Sequence, residues 1–270
     1  MTFEEFDALA TTDVLEHANT LARIRERDDE SRWAAVAVLQ RRPGRAVFEQ
    51  AIAWCASVEP RLRALGANIL AQLGAPDCPF AAESTPTLSA LLSDHDEDVV
   101  VEALHALGHL RTGSTSVLTV FARHPSARLR RAVTHALGWR AEPEAIDALQ
   151  RLTTDDDAEI RDWATFGLGT LSEQDSTEIR DTLVARLTDE DTDVRCEALV
   201  GLARRHDLRA INAIAAELAS SDVRPLAIEA AELMPSPVFV ELLRAIVRSS
   251  PTLDVYRALD RCEASGASSA

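Results

Sequence analysis

Four stretches of the chain align residue for residue: DEDVVVEALHALG (96–108), SARLRRAVTHALG (126–138), DAEIRDWATFGLG (157–169) and DTDVRCEALVGLA (191–203). Each opens on a polar or acidic turn and places an aliphatic anchor three residues later: Val99, Leu129, Ile160 and Val194. Arginine follows the anchor in three of them (Arg130, Arg161, Arg195), and a Leu-Gly pair closes the first three. At about 100° per residue, the anchor and the positions four, seven and eight later share one face, so each stretch reads as an amphipathic helix. Weaker copies lie at 62–74, 223–234 and 31–39, and successive anchors from Leu62 to Val223 are 37, 30, 31, 34 and 29 residues apart. Second amphipathic runs fill the intervals, as in AIDALQRLTTD (145–155), IRDTLVARLTD (179–189) and LRAINAIAAELASS (208–221).

A helix–turn–helix unit recurring at about thirty residues is the signature of a solenoid, because one unit alone cannot bury its apolar face. The pattern resembles the HEAT repeat, in particular the short bacterial HEAT-like type also found in phycobilin lyases, over residues 30–250. The resemblance implies an all-α, right-handed superhelix of about seven antiparallel helix pairs, with the second helix of each pair lining a concave surface. It also implies a protein-interaction scaffold, although fold alone does not decide function.

The expected organisation is a single domain over 1–264. Residues 1–30 form N-terminal cap helices, opened by a Thr2–Glu5 capping box. A proline-bearing loop at 74–87 accounts for the longest interval, 251–264 form a C-terminal cap helix, and 265–270 are a disordered tail. The acids before the anchors (Asp98, Glu159, Asp193, Asp222) and the arginines after them (Arg161, Arg195, Arg224) suit an ion-pair ladder between neighbouring repeats.

Composition narrows the function. A hydrophobic fraction of 46% with only 4% aromatic residues means a core of Ala, Leu, Val and Ile, which favours close helix packing. The chain has no lysine at all, which removes Schiff-base and phosphate-loop lysine chemistry. No glycine-rich phosphate loop, GxSxG or activated-cysteine context occurs, so no enzyme is expected. Four scattered cysteines without CxxC, an acidic N-terminus and the lack of a long apolar run suit a reduced, cytoplasmic protein away from the membrane.

One region departs from the acidic average. Residues 103–141 hold no Asp or Glu, in a chain of formal net charge −16, but carry six arginines and four of the seven histidines. Helical phase turns the second, sixth and tenth positions after each anchor outward. These give Val101, Arg131, Asp162 and Cys196; His105, His135, Phe166 and Val200; and His109, Trp139, Thr170 and Arg204, with Trp163 at the border. Aromatic residues and arginine on such ground are what binding hot spots favour. Arg131, His135, Trp139 and Phe166 are therefore the first candidate contacts to a partner protein, with His105, His109, Asp162 and Trp163 around them.

Two further readings concern the partner. The acidic ends suit a basic partner, as an immunity protein suits a cationic nuclease toxin. The basic region suits an anionic ligand or nucleic acid. His105 and His109, one turn apart, have a metal-binding spacing, but nothing nearby in sequence completes a site, so neither metal nor cofactor is expected. Among HEAT-like enzymes, deoxyhypusine hydroxylases need His-Glu pairs, which this chain lacks. Arg131, Trp139, Asp162 and Trp163 match alkylpurine DNA glycosylases in residue type only, and duplex DNA would meet repulsion outside the basic region.

Overall fold

The computed structural model describes residues 1–24 and 29–267; among these every regular element is helical. The chain divides into two compact units, Met1–Leu137 and Gly138–Ala270.

The first unit opens on α1 (Phe3–Asp7), where Thr2 and Glu5 cap each other's backbone N–H groups as the capping box requires. It continues through α2 (Thr11–Ile24), α3 (Glu30–Gln40), α4 (Arg45–Cys55), α5 (Pro60–Ala71), α6 (Ala81–Leu91) and α7 (Glu97–His109). A single turn, α8 (Thr115–Leu118), runs into a 3-10 turn at Thr119–Arg123, and α9 (Ala127–Leu137) completes the unit. The second helices stack on one another, α5 on α7 and α7 on α9, while each also packs on the first helix of its own pair.

The second unit repeats the scheme with α10 (Pro143–Leu152), α11 (Ala158–Phe166), α12 (Thr177–Arg186), α13 (Thr192–Arg204), α14 (Ile211–Leu218), α15 (Pro225–Leu233), α16 (Val240–Ser249) and α17 (Leu253–Ala267). Here α11, α13, α15 and α17 stack in order. The end of α11 widens into a π turn at Gly167–Leu171, which Arg205 holds by donating to the carbonyls of Leu168, Gly169, Ser172 and Gln174. Close approach of the two backbones requires glycine at this point: a Cβ on Gly201 would lie 2.6 Å from the Cα of Gly169.

The anchors Leu62, Val99, Leu129, Ile160 and Val194 are all buried, each in the middle of an aliphatic core. The turns before them repeat one device. The side chains of Ser57, Asp94, His124, Asp155 and Asp189, each five residues before an anchor, accept from the backbone N–H two residues on. His124, one of the basic-region histidines, thus does the turn-capping work that aspartate does elsewhere.

Where arginine follows the anchor, it completes the turn. Arg63, Arg130, Arg161 and Arg195 each donate from Nη1 to two carbonyls of the turn before. Arg63 also grips Asp94 of the next repeat, Arg161 grips Asp189 and Arg195 grips Glu217. An inter-repeat ladder therefore exists, and its Arg224–Asp193 rung is the expected kind while others differ. The post-anchor Arg224 pairs with the pre-anchor Asp193 as expected, whereas Arg161 and Arg195 take turn or first-helix acids and the pre-anchor Asp98 pairs with Arg128. Asp189 lies in the turn four residues before Asp193, and it is Asp189 that comes level with Arg161 of the preceding repeat.

Two boundary expectations are corrected. The 74–87 segment is turn only to Phe80, after which α6 runs from Ala81 through Pro86, whose ring is accommodated inside the helix. Residues 265–267 belong to α17 rather than to a disordered tail, because the helix continues past Glu263, which Arg244 pairs. Residues 268–270, and residues 25–28 of the expected N-terminal cap, lie outside the described residues.

Candidate functional site

The candidate contacts divide between the two units. In the first unit, α7 supplies His105 and His109, one turn apart, and α9 supplies Arg131 and His135 with the same spacing. His135 meets both α7 histidines: its ring centroid lies 4.6 Å from that of His109 and 6.2 Å, edge-on, from that of His105. Gly108 makes the approach possible, since a Cβ there would stand 2.6 Å from His135 Nδ1. Burial pushes the His135 imidazole down to about 4, with the neighbouring His109 adding to the effect, and burial lowers His109 as well. His109 and His135 are therefore held in their neutral forms near neutrality. Among the described residues no group of three or more His, Cys, Asp and Glu is arranged to hold a metal ion.

In the second unit Trp139 stands exposed before α10, and α11 carries Asp162, Trp163 and Phe166. The Trp163 and Phe166 rings meet edge to face at 5.9 Å, with 38% of Trp163 exposed and Phe166 half-buried. Asp162 forms no ion pair among the described residues. Its Oδ1 is closed off and accepts no hydrogen bond. Burial raises its carboxyl to about 6, reinforced by Asp193, Asp191 and Glu159.

Not every outward position is outward. Val101, Cys196 and Val200 are buried, and burial drives the Cys196 thiol up to about 12. The cause is two-sided packing: a second helix contacts its pair partner and the second helices before and after it, so its apolar zone exceeds one stripe. In the first unit His105, His109 and His135 stay at the edge of that zone, and in the second unit Phe166 does.

The basic region is partly spent inside the fold. Arg128 pairs with Glu97 and Asp98, Arg130 serves its turn, and Arg140 is half-buried beside Glu142.

Sequence reasoning missed two features. On the first unit, Glu102 is 4% exposed and accepts a 2.9 Å hydrogen bond from Asn68 Nδ2, next to the exposed Trp33. On the second, Glu197 of α13 is raised to about 8 by burial, then by Asp162, Glu229 and Asp193. Glu102 and Glu197 are both three residues after an anchor, at a position that helical phase places on the apolar side. Glutamate recurring there was the available signal.

These stacked helix pairs and their turn ladder define a HEAT-repeat protein, and the chain belongs to that family: the model for HEAT repeats matches residues 85–169 and again 149–233. Among individual proteins it is similar to Protein YibA of Escherichia coli K12, at 27% identity over 229 residues, 81% of this chain and 77% of that protein. The X-ray structure of YibA superposes with a TM-score of 0.72 at 23% identity, covering 97% of this chain and 95% of the other. The Cnd3–Cnd2 condensin subcomplex of S. pombe gives 0.58 at 14% identity, over 93% of this chain but 44% of that one. These structural likenesses concern the fold. Among the described residues no helix is long and apolar enough to cross a membrane.

Proposed function

We propose that the chain is a non-catalytic scaffold that binds a partner protein on the faces of its second helices, through His105, His109, Arg131 and His135 on the first unit and Trp139, Asp162, Trp163 and Phe166 on the second. The observation that carries this reading is the exposure of Trp139 (41%) and Trp163 (38%) in a chain whose core is aliphatic. Neither indole is needed to fill that core, and Trp is the residue most enriched in binding hot spots. HEAT repeats offer long stacked faces of this kind. The four free cysteines suit a reduced cytoplasmic setting.

The test is an affinity capture from native lysate, comparing wild type with Trp139→Ala/Trp163→Ala and with Arg131→Glu. A protein held by wild type and lost by these variants, with helical melts unchanged, supports the reading. Capture that all three share counts against it.

A second reading has its own observation. Asp162, Glu197 and Glu229 stand on α11, α13 and α15 with no ion-pair partner among the described residues, while the ladder acids around them are taken by arginines. Such a face suits a basic partner, whose cations would relieve the repulsion. Loss of capture in Asp162→Asn/Glu197→Gln but not in Arg131→Glu would favour it. The opposite pattern favours contact through the basic region, where an anionic ligand or nucleic acid would also bind.

A further inference from the structure

We propose that the last two helix pairs of the second unit enclose a binding cavity for a small, neutral, apolar molecule, opened where a rung of the inter-repeat ladder is missing. The cavity holds about 590 Å³ between α14, α15, α16 and α17, within the range of about 300–1,000 Å³ in which small-molecule sites fall.

Its place in the repeat is that of a rung. The fourth residue of α5, α9, α11 and α13 is arginine: Arg63, Arg130, Arg161 and Arg195. Asp94 and Asp189, which take Arg63 and Arg161, each stand three residues before the next second helix, α7 or α13. At the step from α15 to α17 the same two positions hold Ile228 and Ser250, and both line the cavity. Neither side chain reaches across as the Arg161–Asp189 pair does. The step from α7 to α9 has a different substitution: its two positions hold Val100, which is 4% exposed, and the bulkier His124, whose ring accepts from the Ser126 N–H.

The lining decides what fits. Leu218, Val223, Ile228, Leu242, Ile246 and Val255 present aliphatic groups to the space. No arginine or histidine lines it, so a carboxylate or phosphate entering it would lose water and gain no cation. Asp254 is the one ionisable lining residue, and Arg257 already holds its carboxylate at 2.5 Å in an exposed pair. A cationic ligand would have to compete with that arginine. The hydroxyls divide into two groups. Ser249 donates to carbonyls of its own helix at Ala245 and Ile246, and Ser220 accepts from the Asp222 N–H. Those of Ser221, Ser250 and Thr252 line the cavity and make no hydrogen bond among the described residues. They can serve a hydroxyl or carbonyl on a ligand that is otherwise hydrocarbon. This site is separate from the candidate partner contacts and does not rest on the proposed function.

The experiment titrates the full chain with the neutral dye N-phenylnaphthylamine, whose fluorescence rises in apolar surroundings, and displaces it with octanol, octanoate or octylammonium. We expect saturable binding by wild type, with octanol displacing the dye at least about tenfold more effectively than either charged analogue. Ile228→Arg/Ser250→Asp places the missing rung in the cavity and should weaken dye binding by about tenfold or more, with the helical melt retained. Ala245→Trp, at an exposed lining position, should weaken it similarly by obstruction without a change in the core. Absence of saturable binding by wild type, or binding unchanged in either folded variant, overturns the site. Equal displacement by a charged analogue overturns the assignment of a neutral ligand. Should the double variant fail to fold, Ala245→Trp decides alone. No partner protein is involved in these readouts, so their failure leaves the binding proposal standing.

Discussion

Arg161 grips Asp189 of the following repeat through two hydrogen bonds of 3.0 and 2.9 Å, with side chains only 8% and 5% exposed. The same guanidinium donates to two carbonyls of its own turn, so one side chain ties three backbone segments of the second unit. Removing Arg161 takes the bidentate partner from a buried carboxylate and leaves Asp189 with Arg186 at 3.3 Å and the Asp191 N–H. Arg161→Ala is expected to destabilise the fold by about 3 kcal/mol, read from urea unfolding. A loss below about 1 kcal/mol would show that the ladder is decoration.

Gly108→Ala should cost about 1–3 kcal/mol by overpacking, because its Cβ would meet both the His135 ring and the Ala136 backbone. The double variant Gly108→Ala/His135→Ala should recover part of the loss. Additive losses, measured in a double-mutant cycle, would place the strain elsewhere.

Acid should weaken the fold in two stages. His135 is held neutral, with a value depressed from the usual 6.5 to about 4. Its contribution is therefore complete above the unfolded value and fades as pH falls through that interval. The Arg63 hydrogen bonds hold Asp94 below the usual carboxylate range, and those from Arg209 hold Asp207 down at about 2. Their contribution is present above an unfolded value of about 4 and is lost below it. Melting temperature followed from pH 7 to 2 should show both stages. Arg63→Ala should diminish only the lower one.

Glu197 behaves in the opposite sense. Burial and three neighbouring carboxylates raise it to about 8, so the folded state binds its proton more tightly than the unfolded chain. The stability tied to it is complete below the unfolded carboxylate value and is lost as pH rises towards 8. Glu197→Gln should accordingly be more stable than wild type at pH 9, by about 1 kcal/mol after allowing for partial exposure, and the advantage should vanish near pH 4. Equal melting curves at pH 9 would mean that solvent or a counter-charge already relieves this carboxyl.

The sequence by itself determined the repeat, its register and its buried anchors. The periodic placement of Val99, Leu129, Ile160 and Val194 leaves a helix no other face to bury, and short polar turns force its neighbours alongside. It also pointed to an inter-repeat ion ladder and to the residues His105, His109, Arg131, His135, Trp139, Asp162, Trp163 and Phe166. Helical phase can say that these lie off the main apolar stripe, but not how wide that stripe becomes once second helices stack on one another. Only the tertiary structure showed that Val101, Cys196 and Val200 are covered by that stacking, while Trp139 and Trp163 remain open. The rungs of the ladder were likewise decided in three dimensions, because Asp189 rather than Asp193 comes level with Arg161. So was the meeting of His109 with His135, residues 26 positions apart that touch because the intervening turn returns the chain against Gly108. Local pattern determines which residues must be hidden, whereas the charge and protonation of those at the margin depend on neighbours that only packing supplies.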